Sequence, residues 1–151
     1  MINTLFIDLD GTLVDSRAAL KALFGELADK YFGGKALGDV LRGLFKENCL
    51  KAFHTLPHSD YLQDIGCGWD NMFYSDFTGD ELRLADLKNA AAEYRHSVLS
   101  AILKAYGKTD YTLAESMITF MREKWVEYYR PYTDAYTFLD GCKDFKKYIF
   151  N

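Results

Sequence analysis

The sequence predicts a mostly helical protein that begins with one short β-strand and returns to a second. The run Leu5-Phe6-Ile7 is apolar and has strong strand preference, which is typical of a short buried strand. From residue 16 to residue 129, apolar side chains recur mainly at helical spacing. Another apolar run, Tyr148-Ile149-Phe150, indicates the start of a second buried strand. Short connections between the helices favour an antiparallel bundle.

The composition indicates one ordinary globular domain. The chain has 151 residues, of which 49% are hydrophobic and 26% are charged, so it can form a core and is not disordered throughout. The net charge of −4 argues against a nucleic-acid partner held by a basic face. No apolar run approaches membrane-spanning length, so we expect no membrane partner.

The cysteines and the N-terminus favour a cytoplasmic location. Cys49, Cys67 and Cys142 are widely spaced and odd in number, which does not fit a disulfide framework. The first residues lack the basic region, apolar core and cleavage site of a secretory signal. We therefore expect a reducing compartment.

Two helices are predicted before residue 52. Asp15 or Ser16 can cap the first one, and Gly33-Gly34 can end it. The second helix is predicted from about Asp39 to Leu50. Their apolar faces comprise Leu20, Leu23, Phe24, Leu27, Ala28 and Tyr31 in the first helix, and Val40, Leu41, Leu44 and Phe45 in the second.

The helical period is lost between residues 52 and 79, where Pro57 and three glycines interrupt the pattern. We predict a long loop with short helical pieces, one of them within Trp69–Phe73. Long structured loops often carry function, so its aromatic side chains are candidates for contact with a substrate. Burial under the loop is the favoured role, because large aromatic residues usually serve packing. The candidates are Tyr61, Trp69, Phe73 and Tyr74.

Three further helices are predicted after the loop. One runs from about Asp80 to Tyr106 and another from about Thr112 to Tyr129, where Arg130-Pro131 ends it. A last helix is predicted after Asp134, reaching to about Lys147. The predicted inward residues of this last helix are Phe138, Leu139, Cys142 and Phe145.

The segment after the first strand combines two acids with a sharp turn. Asp8 and Asp10 are spaced i and i+2, which places both carboxylates on the same side of a strand. A divalent cation would offset their mutual repulsion, and Mg²⁺ prefers oxygen ligands. Gly11 permits a turn with positive φ, Thr12 supplies a hydroxyl, and the N–H groups of such a turn can face an anion.

The run Asp8-Leu9-Asp10-Gly11-Thr12 resembles the first signature motif of the haloacid dehalogenase (HAD) superfamily, and the following Leu13-Val14-Asp15-Ser16 is similar to its members with a helical cap. The resemblance implies an α/β fold, with a Rossmann-like core and a helical cap. It implies the first strand and catalytic loop in residues 1–15, the cap in 16–129 and the return to the core in 130–151.

The same resemblance implies catalytic roles for two aspartates. Asp8 would be the nucleophile that forms an aspartyl-phosphate, and Asp10 would be the general acid and base. Both would hold Mg²⁺, Asp10 through its main-chain carbonyl. Leu9, Gly11 and Thr12 would contact the phosphate. We therefore expect a Mg²⁺-dependent phosphatase that acts on a small phosphorylated metabolite.

Two alternatives stay open. Cleavage of carbon–halogen bonds is the second activity that the resemblance implies, although a proton-donating Asp10 suits the phosphatase better. The other alternative is a helical binding module without catalysis, because the family's phosphate-binding Ser or Thr, its Lys and its distal acidic residues are not found in this sequence. Asn151 lies about where the Ser or Thr motif is expected. A homodimer or a partner would then cover the exposed strand edges.

Overall fold

A computed structural model describes residues 3–150 of the chain, and it is mostly helical with a small two-stranded parallel sheet. The sequence prediction of a helical bundle with two strands is confirmed. Asn151, where a phosphate-binding motif was expected, lies outside the described residues. The elements are β1 (Thr4–Asp8), α1 (Ser16–Phe32), a 3₁₀ helix (Lys35–Leu37), α2 (Gly38–Phe53), α3 (Ser59–Asp64), α4 (Trp69–Tyr74), α5 (Leu82–Ala105), α6 (Tyr111–Lys124), a 3₁₀ helix (Trp125–Tyr128), α7 (Ala135–Gly141) and β2 (Lys146–Phe150).

The helices between α1 and α6 enclose one large hydrophobic core. Its centre is aromatic: the ring of Phe45 lies 5.1 Å from that of Phe24 and 4.8 Å from that of Phe73. Tilted and edge-on contacts of this kind are favourable beyond the area they bury. Helices α1 and α2 approach closely at Gly38, where a Cβ would lie 2.9 Å from the Cα of Gly25.

Strands β1 and β2 pair in parallel, with Thr4 opposite Lys146 and Asp8 opposite Phe150. The whole helical bundle forms the connection between them, as a parallel pair requires a long crossover. A second, much smaller cluster of buried residues underlies the sheet, separate from the core of the bundle. Its buried members are Ile7, Leu13 and Ala135.

The other side of the sheet is open. Phe6 is 73% exposed, and Tyr148, which lies opposite it on β2, is 42% exposed. The Phe6 ring stacks on Tyr148 of the neighbouring strand at 5.3 Å. Among residues 3–150, no helix combines the length and the apolar character that crossing a membrane requires.

Two adjacent, antiparallel passages of the chain connect the sheet to the bundle. The Asp15 N–H donates to the Arg130 carbonyl, and the Tyr132 N–H donates to the Leu13 carbonyl, each at 3.0 Å. Val14 forms an antiparallel bridge with Pro131 between them. The start and the end of the bundle are therefore held side by side. Asp15 also caps α1, because its side chain accepts from the Ala18 N–H.

Four details of the sequence prediction are wrong. Both strands were expected to be buried, but Phe6, Tyr148 and Ile149 are exposed, because the sheet has only two described strands and its small cluster buries only Ile7, Leu13 and Ala135. Helix α7 ends at Gly141 rather than near Lys147, because the chain turns there to enter β2, and the Lys147 ammonium donates to the Cys142 carbonyl. Phe138, expected to point inward, is 48% exposed because the short helix buries only Ala135. Val40 is 53% exposed because the buried stripe of α2 runs through Leu41, Phe45, Cys49 and Phe53.

Candidate functional site

The motif forms a tight loop at the carboxyl end of β1. The carbonyl of Leu9 accepts from the N–H groups of Thr12, Leu13 and Val14 at 3.3, 2.9 and 3.1 Å. Gly11 has φ of 77°, a left-handed conformation that side-chain-bearing residues resist. The glycine of the motif is therefore what allows the chain to reverse immediately after the two aspartates.

Asp8 is the last residue of β1 and is partly buried. The Thr12 hydroxyl donates to its Oδ2 at 3.0 Å. The N–H groups of Gly11 and Thr12 donate to carbonyls inside the loop. In this arrangement, therefore, they are not turned to an anion, and phosphate binding by Leu9, Gly11 and Thr12 stays a prediction.

Asp10 lies beyond the strand, where it faces the helical bundle. The Tyr129 hydroxyl donates to its Oδ2 at 3.3 Å. Its Oδ1 is buried and has no hydrogen-bond partner among the described residues. In residues 3–150, neither Asp8 nor Asp10 takes part in a salt bridge. The two carboxylates thus have different surroundings. The Thr12 hydroxyl contacts Asp8, whereas the Tyr129 phenol contacts Asp10, which also borders a cavity.

A cavity of about 150 Å³ lies beside Asp10. It lies between the motif loop, helix α4 with the residue after it, and the 3₁₀ helix at the end of α6. The start of α4 is fixed by short polar contacts, because the Gly68 N–H donates to Asn71 Oδ1 at 3.1 Å and the Asn71 N–H donates to Asp70 Oδ1 at 3.0 Å. The lining residues are Asp10, Asp70, Asn71, Tyr74, Ser75 and Trp125.

A buried arginine fixes the wall of this cavity. Arg95 of α5 is 8% exposed, and its Nε donates to the Phe73 carbonyl at 2.7 Å. Its Nη2 donates to the Ser75 carbonyl. Arg122 pairs with Asp76 one residue further on. The segment after α4 is therefore attached to both α5 and α6.

Two tyrosines at the site hold their protons more tightly than usual. Burial raises the pKa of Tyr129, and the hydrogen bond to Asp10 raises it further. Burial likewise raises the pKa of Tyr74 well above its ordinary value, with a contribution from the negative charge of Asp70. Both phenols are therefore neutral near pH 7 and available as hydrogen-bond donors.

The candidate aromatic residues of the 52–79 segment divide between packing and the cavity. Phe73 is completely buried in the core of the bundle. The Tyr61 hydroxyl donates to Glu81 at 3.0 Å, and Trp69 lines a different groove. Of the four, Tyr74 lines the cavity beside Asp10.

Sequence reasoning missed Asp70, Asn71, Ser75, Trp125 and Tyr129 as residues of the site. Asp70 follows the candidate aromatic residue Trp69, and Tyr129 immediately precedes Arg130-Pro131, where the predicted helix ends. These positions are only weak signals that the two residues belong to the site. Neither position predicts contact with Asp10, which is 60 or more residues away in the sequence.

The described residues can supply only some of the ligands that a Mg²⁺ ion needs. Asp8 and Asp10 offer carboxylates at the end of β1, and the buried, unpartnered Oδ1 of Asp10 is suited to a positive partner. Within residues 3–150, no three His, Cys, Asp or Glu side chains come together as a metal cluster. One or two carboxylates suffice for Mg²⁺ when water and substrate phosphate complete the shell.

Comparisons of the chain with protein-family models, with curated proteins and with solved structures gave no match. The resemblance to the haloacid dehalogenase superfamily therefore stays a prediction from the motif.

Proposed function

We propose that this chain carries the catalytic loop and helical cap of a HAD-type phosphatase, which acts on a small phosphorylated metabolite through an aspartyl-phosphate. One observation carries the proposal: Asp8 and Asp10 flank the end of a parallel strand, and Asp10 lines a cavity whose other walls belong to the helical bundle. Ligand sites in parallel sheets lie beyond the carboxyl ends of the strands, where these residues are.

The first chemical step uses Asp8. With Oδ2 held by the Thr12 hydroxyl, Oδ1 is the oxygen that attacks phosphorus. A bond forms between Asp8 Oδ1 and phosphorus, and the bond between phosphorus and the ester oxygen breaks. The electron pair of that bond leaves with the alcohol oxygen, and Asp10 supplies its proton.

The second step regenerates the enzyme. Asp10 removes a proton from water, whose oxygen attacks the phosphorus of the aspartyl-phosphate, and Asp8 leaves as a carboxylate. Tyr129 keeps the Asp10 carboxyl in a fixed orientation through its hydrogen bond. A Mg²⁺ ion bound by Asp8 and by the main-chain carbonyl of Asp10 would neutralise charge on the transferring phosphoryl group.

The helical bundle supplies the walls that exclude water. Trp125 stacks on Tyr74 with ring centroids 4.1 Å apart, which closes one side of the cavity with apolar surface. Excluding bulk solvent strengthens the electrostatic interactions at the reacting centre.

The test is hydrolysis of 4-nitrophenyl phosphate by the full chain, with and without Mg²⁺. We expect Mg²⁺-dependent turnover that Asp8→Asn abolishes and that Asp10→Asn lowers by about 100-fold or more. Asp64→Asn makes the same chemical change at an exposed position and is expected to leave turnover unchanged. Thermal unfolding of each variant controls for folding. Absent turnover in the unchanged chain, or turnover that persists in Asp8→Asn, contradicts the proposal.

The open face of the sheet favours a second candidate, a non-catalytic module that self-associates. Phe6 and Tyr148 expose a stacked pair of aromatic rings on a sheet with only two described strands. Sedimentation velocity over a range of protein concentrations tests it. Phe6→Ser is expected to dissociate such a complex, whereas Tyr136→Ser, which changes another exposed aromatic residue, is not. A monomer at all concentrations contradicts this candidate.

A further inference from the structure

The open face of the sheet has a regular order of side chains along its two strands. Because side chains alternate between the two faces of a strand, Thr4, Phe6 and Asp8 share one face of β1. The register of the sheet places Lys146 opposite Thr4 and Tyr148 opposite Phe6. The stacked rings of Phe6 and Tyr148 therefore form the centre of this face, with Lys146 at its amino end and Asp8 at its carboxyl end.

The two ends of the face carry charges that the bundle does not neutralise. Among residues 3–150, neither Asp8 nor Lys146 takes part in a salt bridge. The Lys146 ammonium lies 4.8 Å from the centroid of the Tyr148 ring, at the rim of the exposed aromatic pair. The ammonium of the next residue, Lys147, instead donates to the Cys142 carbonyl at 2.8 Å. The face thus combines an aromatic centre with opposite charges at its two ends.

This pattern is complementary to a second copy of itself. In a two-fold dimer each copy contributes the same surface, so that surface must match itself. If two such faces pack with their strands antiparallel, the aromatic pairs meet and the Lys146 end of each copy lies beside the Asp8 end of the other. Packed sheets lie about 10 Å apart and neighbouring strands about 4.8 Å apart, a separation that a lysine and an aspartate can span together. With the strands parallel, Lys146 would instead lie over the partner's Thr4, and neither charge would be paired.

We propose that two copies of this chain form a two-fold dimer through the open face of the sheet, with antiparallel strands and with Lys146 of each copy paired to Asp8 of the other. This dimer rests on the second candidate function, the self-associating module, and adds its partner and its geometry. Each strand has five residues, so the face is small and we expect a dissociation constant in the micromolar range or weaker. The end pairs fix the orientation more than the affinity.

The first test asks whether this face forms the dimer. Sedimentation equilibrium of the full chain at concentrations up to ~1 mM measures the dissociation constant. Phe6→Ser is expected to weaken the dimer about tenfold or more, whereas Tyr136→Ser, at another exposed aromatic residue, is expected to leave it unchanged. Self-association that Phe6→Ser leaves unchanged uses another surface and overturns the proposal. A monomer at every concentration overturns the self-associating module as well.

Charge reversal tests the orientation. Lys146→Glu brings two carboxylates together at each end of the dimer, and Asp8→Lys brings two ammonium groups together, so each variant alone is expected to weaken the dimer about tenfold or more. An equal mixture of the two variants is expected to form a heterodimer of nearly the original affinity, because both end pairs again join opposite charges. Lys88→Glu and Asp64→Lys reverse exposed charges on the helical bundle and are the controls without effect.

The outcomes separate the orientation from the self-association. If Phe6→Ser dissociates the dimer but Lys146→Glu behaves like Lys88→Glu, the antiparallel arrangement is overturned and the self-associating module stands. A mixture without recovery, from variants that unfold near the temperature of the unchanged chain, has the same meaning. If Asp8→Lys unfolds at a clearly lower temperature, Asp8→Asn takes its place. Asp8→Asn is expected to weaken the dimer severalfold, and an unchanged dimer overturns the proposal.

Discussion

The Tyr129 hydroxyl donates to Oδ2 of Asp10 across 3.3 Å, joining residues that are 119 positions apart in the sequence. Tyr129→Phe removes this donor and leaves a partly buried carboxylate without hydrogen bonds from the described residues. We expect a loss of about 1–3 kcal/mol in the free energy of unfolding, measured by urea denaturation. We also expect kcat to fall with little change in KM, because Asp10 loses its orientation.

Tyr136→Phe is the matched control, since Tyr136 is 67% exposed. A stable Tyr129→Phe variant with unchanged kcat would show that this hydrogen bond serves neither folding nor the reaction.

The buried thiol of Cys49 predicts destabilisation at alkaline pH. Burial raises its pKa from 9.0 to about 12, and the Tyr94 hydrogen bond lowers it by less. The folded chain therefore binds this proton more tightly than the unfolded chain does. The stabilisation is complete below pH 9 and is lost as the pH rises toward 12, with a slope of at most ~1.4 kcal/mol per pH unit.

Urea denaturation at a series of alkaline pH values measures this slope. Cys49→Ala is expected to make it shallower, although burial also raises the pKa of Cys67, Tyr74, Tyr94 and Tyr129, so that some slope remains. Cys142→Ala, outside the core of the bundle, is the comparison. The same slope in Cys49→Ala as in the unchanged chain would contradict the prediction.

The close approach of α1 and α2 predicts that Gly38 does not tolerate a side chain. A Cβ at this position would lie 2.9 Å from the backbone of Gly25, so Gly38→Ala must separate the two helices. We expect a loss of about 1–3 kcal/mol in the free energy of unfolding. Gly43→Ala, in the same helix with no atom within 4 Å of the new Cβ, is expected to gain up to about 1 kcal/mol. Equal effects of the two changes would contradict this account.

We predict that the buried Arg95 couples the stability of the helical bundle to the order of the segment after α4, which forms a wall of the cavity. Arg95→Met leaves the Phe73 and Ser75 carbonyls without their donor, and we expect a loss of about 2 kcal/mol or more in the free energy of unfolding. Arg42→Met removes an exposed pair with Asp39 at 3.3 Å and is expected to cost less than about 1 kcal/mol. Hydrogen exchange of the segment after α4 measures whether it loosens in Arg95→Met, and unchanged protection there would contradict the coupling.

The parts of this protein that depend on local sequence could be predicted. The turn at Asp10-Gly11 could be predicted because glycine tolerates positive φ. Helix α1 could be predicted from its cap, its apolar stripe and the glycines after it. The errors at Val40 and Phe138 arose where a helix contributes few residues to the core, because the spacing of apolar residues alone does not show which of them a neighbour covers. Asp10 and Asp70 line the same cavity, and only tertiary packing brings these two residues together, so the sequence alone did not predict it.

The junction at Leu13–Asp15 and Arg130–Tyr132 has a consequence for engineering. Because the two passages lie hydrogen-bonded side by side, residues 16–129 form an insertion whose ends nearly meet. A short loop could therefore replace the insertion without stretching the chain, and another insert could be grafted at the same position.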